Sequence, residues 1–328
     1  MTDQTIDSQA TRRQFMIRCT KAGISVAAAC GMGYGFYDLS GPKPLDTRKD
    51  QIDLPDFSIP SQTGKIAIAM GKDRVETVNK ALLALGGIET FIQKGDRVLL
   101  KVNAAFATPS VLSATTHPLL LGEVARLCLR AGASSVRVTD NPINDPASCF
   151  ALTGIGASAK QAGAEVYLPK DSFFRKMTVP GGTLIKDWPF LYEPFDSVTK
   201  VIGISPVKDH HRSGASMSIK NWYGVLGGRR NVFHQDIHNI IKELAMMIKP
   251  TLVILDGTVT MMTNGPTGGS LSDLKQTDTM IVSTDQVAAD SFGATLLGKT
   301  AADFPFIQKA EEAGAGKADY TSLKLIRT

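Results

Sequence analysis

Cysteine is scarce in this chain. Four occur in 328 residues, Cys19, Cys30, Cys128 and Cys149, and no two have C-x-x-C spacing. That excludes a chain-borne iron–sulfur cluster and a structural zinc site of the usual spacing. Blocks of one charge are also missing: the net charge is +5, with acids and bases interspersed. Nucleic acid is therefore not expected as a partner, because backbone binding needs a clustered basic face. No internal repeat is visible. At 43% apolar and 20% charged residues the chain is neither disordered nor fibrous, and its length suits a large buried core.

The N-terminus carries its own signal. Thr11-Arg12-Arg13-Gln14-Phe15-Met16 is a twin-arginine pattern, followed by the Gly/Ala-rich run Ala22–Phe36. That run is too short and too weakly apolar for a typical spanning helix, yet suits an export signal. Residues 1–38 are read as this signal, kept as an anchor or removed. Periplasmic or cell-envelope placement follows, with the export machinery as a partner. Ala27-Ala28-Ala29-Cys30 weakly resembles a lipoprotein cleavage box, which makes Cys30 a candidate for lipidation. Cys128 and Cys149 would be able to pair in an oxidising compartment, although Cys128 also fits the apolar face of a helix. Residues 39–63, rich in Pro and Asp, read as an exposed tether.

The body, residues 64–328, alternates short apolar runs with helical spacings and is read as one α/β domain, or two lobes. Strands are expected at Lys65–Met70, Arg97–Asn103, Ser135–Asp140, Glu165–Pro169, Val201–Ile204 (breaking at Pro206), Thr251–Gly257 and Thr279–Asp285. Helices are expected over Val75–Gln93, after Pro118 with Leu119, Leu120, Val124, Leu127 and Cys128 on the buried stripe, over Asp236–Ile248, and after an Asp285 cap. Met177–Asp187 reads as a β-hairpin turning at Gly181-Gly182. Gly154-Ile155-Gly156 follows no strand, which removes it as a dinucleotide loop. The expected fold is a mostly parallel central sheet with helices on both faces and a small hairpin insertion.

Several of these strands end on a polar or charged residue: Lys101 and Asn103, Asp140, Lys208 and His210, Asp256, and Asp285. In a parallel sheet such ends share one rim, where ligands bind. Lys101, Lys208 and Lys220 would hold a carboxylate or phosphate as point charges. His210 and His234 titrate near neutrality in water, which suits acid–base work or metal ligation, with Lys208 beside them. Asp256 and Asp285 would complete a divalent metal site with the histidines. Asn103 and Asn221 would orient substrate, and Gly265, in the glycine-rich loop 263–269, would bring backbone N–H groups to an anion.

The pattern resembles the domain-of-unknown-function family 362. It is carried by Lys101-Val102-Asn103, Thr116-His117-Pro118, Lys208-Asp209-His210, Lys220-Asn221-Trp222-Tyr223-Gly224 and His234. Asp256-Gly257, Gly265-Pro266, Ser283-Thr284-Asp285 and Ala289-Asp290 then follow in order. The resemblance spans about residues 65–300 and implies an architecture and site positions, but no reaction. Many relatives append a pair of four-iron clusters; this chain lacks the cysteines for them. Two functions stay open. One is an exported enzyme acting on a small anionic substrate. The other is a non-catalytic protein that captures a metal or metabolite, or matures a redox partner.

Overall fold

The computed structural model describes residues 12–36 and 48–328. Thr11 of the twin-arginine pattern and residues 39–47 of the tether lie outside the described residues. The chain divides into two units, Met1–Pro44 and Leu45–Thr328. The described residues of the first form α1 (Arg12–Phe36). Among the described residues, no helix is long and apolar enough to cross a membrane.

In the second unit β1 (Arg48–Ile52), β2 (Lys65–Met70), α2 (Arg74–Ala84) and β3 (Arg97–Lys101) lead to α3 (Pro118–Arg130) and β4 (Ser135–Thr139). Then come α4 (Pro146–Leu152), α5 (Ile155–Gln161), β5 (Glu165–Tyr167), β6 (Phe174–Met177) and β7 (Trp188–Leu191). β8 (Lys200–His210), β9 (Gly214–Ser216), α6 (Ser218–Asn221), α7 (Ile237–Met247) and β10 (Leu252–Met261) follow. β11 (Leu274–Ser283), α8 (Gln286–Leu296), α9 (Pro305–Glu312) and β12 (Lys324–Arg327) complete the chain.

The large sheet has the order β12-β2-β11-β10-β8-β3-β4-β5, with β9 on the end of β8. All neighbours pair parallel except β11, which is antiparallel to both β10 and β2, and the β8–β9 hairpin. One core layer packs Val78, Leu82, Leu120, Val124 and Cys128 of α2 and α3 on Leu100, Ile202, Ile204 and Ile254. The other packs Trp222, Ile240, Leu244 and Phe292 on Leu99, Val201, Val253 and Leu255. Alternate residues of each strand thus feed opposite layers, as the pleat requires.

Several expectations change. Pro206 does not break the strand: β8 runs through it to His210. Pairing to β3 ends at Gly203, so no β3 carbonyl is left waiting for the N–H that Pro206 lacks. β10 likewise runs past Asp256; a bulge intervenes before Met261 resumes pairing opposite Lys208. Leu119 faces solvent and Leu121 takes its place on the buried stripe of α3. α2 stops at Ala84, before Gly86 and Gly87, whose φ of 103° and 85° leave the helical region.

Residues 48–52, read as tether, form β1 beside β6, with Ile52 and Phe57 buried. The hairpin is β6–β7, with Met177 opposite Trp188, and 178–187 loops out between them. That loop is held by Glu243 of α7, whose buried carboxylate accepts from the N–H groups of Thr183 (2.6 Å), Leu184 (3.0 Å) and Ile185 (2.8 Å). Cys128 and Cys149 are both buried and free, so neither pairs.

Candidate functional site

At the carboxyl rim of β3, β4 and β8 lies a cavity of about 580 Å³. The sequence-predicted Asn103, Lys208, His210, Lys220, Asn221, His234 and Gly265 all line it. Asp140, Asn141, Phe106, Tyr223 and Arg230 also line it. A second cavity of about 560 Å³ shares Asn141, Ile143, Tyr223, Arg230 and His234 with it, so the cleft continues outward.

Short-range anchors fix the lysines. Lys101 is buried beneath the cavity, its Nζ 2.8 Å from Asp140 Oδ1 and donating to Asn221 Oδ1 at 3.0 Å. Burial pulls its pKa down, and the Asp140 charge pulls it back up. Lys208, at the extended end of β8, donates to the Ala114 carbonyl and lies 5.2 Å from the Phe106 ring centroid. Lys220 sits on α6, whose first turn is fixed by Asp290: its carboxylate accepts from Ser218 N (2.7 Å), Ile219 N (3.1 Å) and the Ser218 hydroxyl. Trp222 Nε1 donates to Gln286 Oε1 at 2.6 Å, and Gln286 Nε2 donates to the carbonyls of Ala245 and Ile248. Burial, then repulsion among the cations, lowers both Lys208 and Lys220 to about 7.

His210 departs from its expected behaviour. Burial, then the Lys220 charge, pushes it down to about 2, so it stays neutral at physiological pH. Its Nδ1 accepts from the N–H groups of Arg212 (3.2 Å) and Ser213 (3.3 Å), which assigns the proton to Nε2. His234 has the opposite assignment. Its Nδ1 is 3.3 Å from the Asn231 carbonyl, which only accepts, and 3.2 Å from Tyr223 Oη, whose own proton goes to the Arg230 carbonyl. That leaves Nε2 of His234 as an acceptor. The two rings are stacked with centroids 6.0 Å apart, so one cavity holds an imidazole donor and an imidazole acceptor. Burial again lowers His234.

Gly265 lies against the strand end: its N–H donates to Asp209 Oδ2 (3.0 Å), and its carbonyl accepts from His211 N (3.3 Å). A Cβ at Gly265 would overlap the Asp209 backbone, so only glycine fits there. The buried Asn103 Oδ1 has no hydrogen-bond partner among the described residues, an acceptor left over at the cavity wall.

The two metal candidates are not brought to this cavity. Asp256 points into the α2–α3 layer, paired with Arg74 Nε at 2.7 Å and accepting from Thr258 N at 2.9 Å. Asp285 follows β11, and because β11 is antiparallel its end lies at the opposite rim. There Asp285 caps α8 through Val287 N and Ala288 N and accepts from Lys317 N. Among the described residues, no group of three or more His, Cys, Asp or Glu side chains is arranged to hold a metal ion.

Sequence reasoning missed Arg230, whose guanidinium donates to the carbonyls of Tyr223, Leu226, Asn141 and Pro142. Nothing in its local sequence marks it. Asp140 in the strand-end series and Asp290 in the family pattern carry the signal that marks them: one pairs with Lys101, the other fixes the turn that bears Lys220.

The sequence profile of the family described as Domain of unknown function (DUF362) matches residues 98–295. The chain is 26% identical over 248 residues to the thylakoid-associated protein sll1697 of Synechocystis sp., covering 70% of this chain and 72% of that protein. Among solved structures, the lactate racemase apoprotein of Thermoanaerobacterium thermosaccharolyticum is similar at a TM-score of 0.38 and 15% identity. It covers 74% of this chain, and this chain spans 58% of its length. A Thermotoga maritima protein is similar at a TM-score of 0.32 and 13% identity, over 57% of this chain and 50% of that one.

Proposed function

The chain belongs to the DUF362 family, and we propose that it is an enzyme acting on a small anionic substrate held by Lys208 and Lys220. One observation carries this reading. The cavity gathers Lys208, Lys220 and Arg230 over the buried Lys101, and the carboxylate among them, Asp140, is already paired with Lys101. Buried cations without counter-charge are costly, and a bound anion removes that cost.

The side chains then divide the work. Lys208, anchored on the Ala114 carbonyl, supplies positive charge to the cavity wall. Asn103 and Asn221 orient the substrate. His210, fixed as an Nε2–H donor, polarises or protonates a substrate oxygen, and His234, with a free Nε2, accepts a proton. Lys208 and Lys220, rather than His210, titrate near pH 7.

Export by the twin-arginine route is part of the proposal. It rests on Thr11–Met16 and the run that follows, and replacing Arg12 and Arg13 by Lys should block it in a reporter fusion. The enzymatic reading is tested by thermal shift across a panel of anionic metabolites, followed by product analysis of each stabilising compound. Turnover lost in His210→Gln with the melting temperature kept supports it. Stabilisation without product in any case assigns the chain to non-catalytic capture of the same anion.

A further inference from the structure

Three amines meet at this cavity, and their surroundings differ. Lys101 Nζ is tied to Asp140 and Asn221, and Lys208 Nζ to the Ala114 carbonyl. Lys220 Nζ makes no hydrogen bond or ion pair to any described residue, although the side chain is only 9% exposed and lines the cavity. It lies 5.3 Å from the Tyr223 ring centroid. Its backbone is pinned through Asp290 and Gln286, so the amine is presented without a partner from a rigid turn. Such an amine is poorly placed as a structural cation and well placed as a nucleophile.

We propose that Lys220 attacks the carbonyl carbon of an oxo acid and forms an imine with it, while Lys208 holds the acid's carboxylate. The proposal rests on reading the cavity as an anion site and narrows the substrate class to carboxylates bearing an aldehyde or ketone.

The chemistry balances within the cavity. The nitrogen lone pair forms the N–C bond as the C=O π pair moves to oxygen, which takes the Nε2 proton of His210. The amine passes a proton to Nε2 of His234. His234 then returns that proton to the carbinolamine hydroxyl, which leaves as water, the C–O bond breaking as C=N forms. The nitrogen's remaining proton goes to Nε2 of His210, restoring its donor form. No electrons leave or enter, and hydrolysis by the same water returns free Lys220. Lys220, His210 and His234 all line this one cavity, and after burial the Lys220 charge is the main influence lowering both imidazoles. With its pKa lowered to about 7 by burial and Arg230, a large share of the amine is unprotonated at neutral pH.

Glyoxylate, the smallest oxo acid, enters any site built for a larger one. The full chain is incubated with glyoxylate and borohydride, then mapped by peptide mass, with inorganic phosphate binding measured in parallel. The expected result is one reduced adduct per chain, on Lys220, suppressed by phosphate and absent in Lys220→Met. Its rate falls about tenfold per pH unit below the lysine pKa. Phosphate binding with no adduct at Lys220, or an adduct spread evenly over surface lysines, overturns the imine and leaves the anion site standing. Loss of both phosphate binding and adduct overturns the two readings together.

Discussion

Lys101 Nζ and Asp140 Oδ1 sit 2.8 Å apart with both side chains buried, directly beneath Gly224. A Cβ at position 224 would overlap Asp140 Oδ1 and come within 2.9 Å of Lys101 Nζ. Asp140 also accepts from Ala104 N (2.6 Å) and Asn141 N (3.0 Å), so one carboxylate ties the ends of β3 and β4 to the cavity floor.

Gly224→Ala is expected to force this pair apart, and breaking a buried ion pair costs about 3–5 kcal/mol. Asp140→Asn should cost a similar amount by stranding the Lys101 charge. Denaturant midpoints check both. A loss under about 1 kcal/mol would show that the pair reorganises freely.

Lys208 and Lys220 give stability a distinctive pH dependence. Their folded pKa values, about 7, lie below the 10.5 of the unfolded chain, so the unfolded state binds more protons between those values. The contribution of these two groups to stability therefore rises with pH across about 7–10.5 and is flat below. Lys208→Met is expected to flatten that rise and to stabilise the protein at pH 7 by about 1–4 kcal/mol. Denaturation at several pH values, wild type against variant, reads both effects.

Sulfate or phosphate should restore the lysine charges. Binding is expected to take up protons near pH 7.5, visible as a buffer-dependent calorimetric heat, and to weaken as the pH rises past the two pKa values. At a hundredfold excess over Kd the ligand should add about 2.7 kcal/mol of stability. Proton release on binding would contradict the arrangement of charges described here.

The two imidazoles should carry opposite protons. In nitrogen-15 spectra His210 is expected as the Nε2–H form, without titrating across about pH 5–8, and His234 as the Nδ1–H form. Equal tautomers, or a His210 transition near 6.5, would remove the donor–acceptor pairing.

Much of the cavity was legible from the chain. Lys101, Asn103, Lys208 and His210 follow apolar runs, and a parallel strand that ends in an ionisable group delivers it to a common rim. Strand direction was not legible. The run Met280–Ser283 has the same apolar character as its parallel neighbours, and only its pairing to β10 and β2 shows that Asp285 is carried to the far side. Nor could the sequence supply Arg74 as the partner of Asp256 from 182 residues away. His210 departs from its ordinary behaviour for a related reason: residue type sets an ordinary pKa, but burial among cations sets the actual one. β1 escaped notice because Ile52 is its sole large apolar residue.

The continuation of β8 and β10 past Gly203 and Asp256 constrains how this site can change over time. Lys208 and His210 keep their facing only while the count of residues from Ser205 onward is preserved, since a single insertion would turn both away from the cavity. Length variation aimed at a new ligand is therefore expected in the loop 107–112, between the Phe106 wall and the Ala114 anchor of Lys208, with the ladder behind it inherited unaltered.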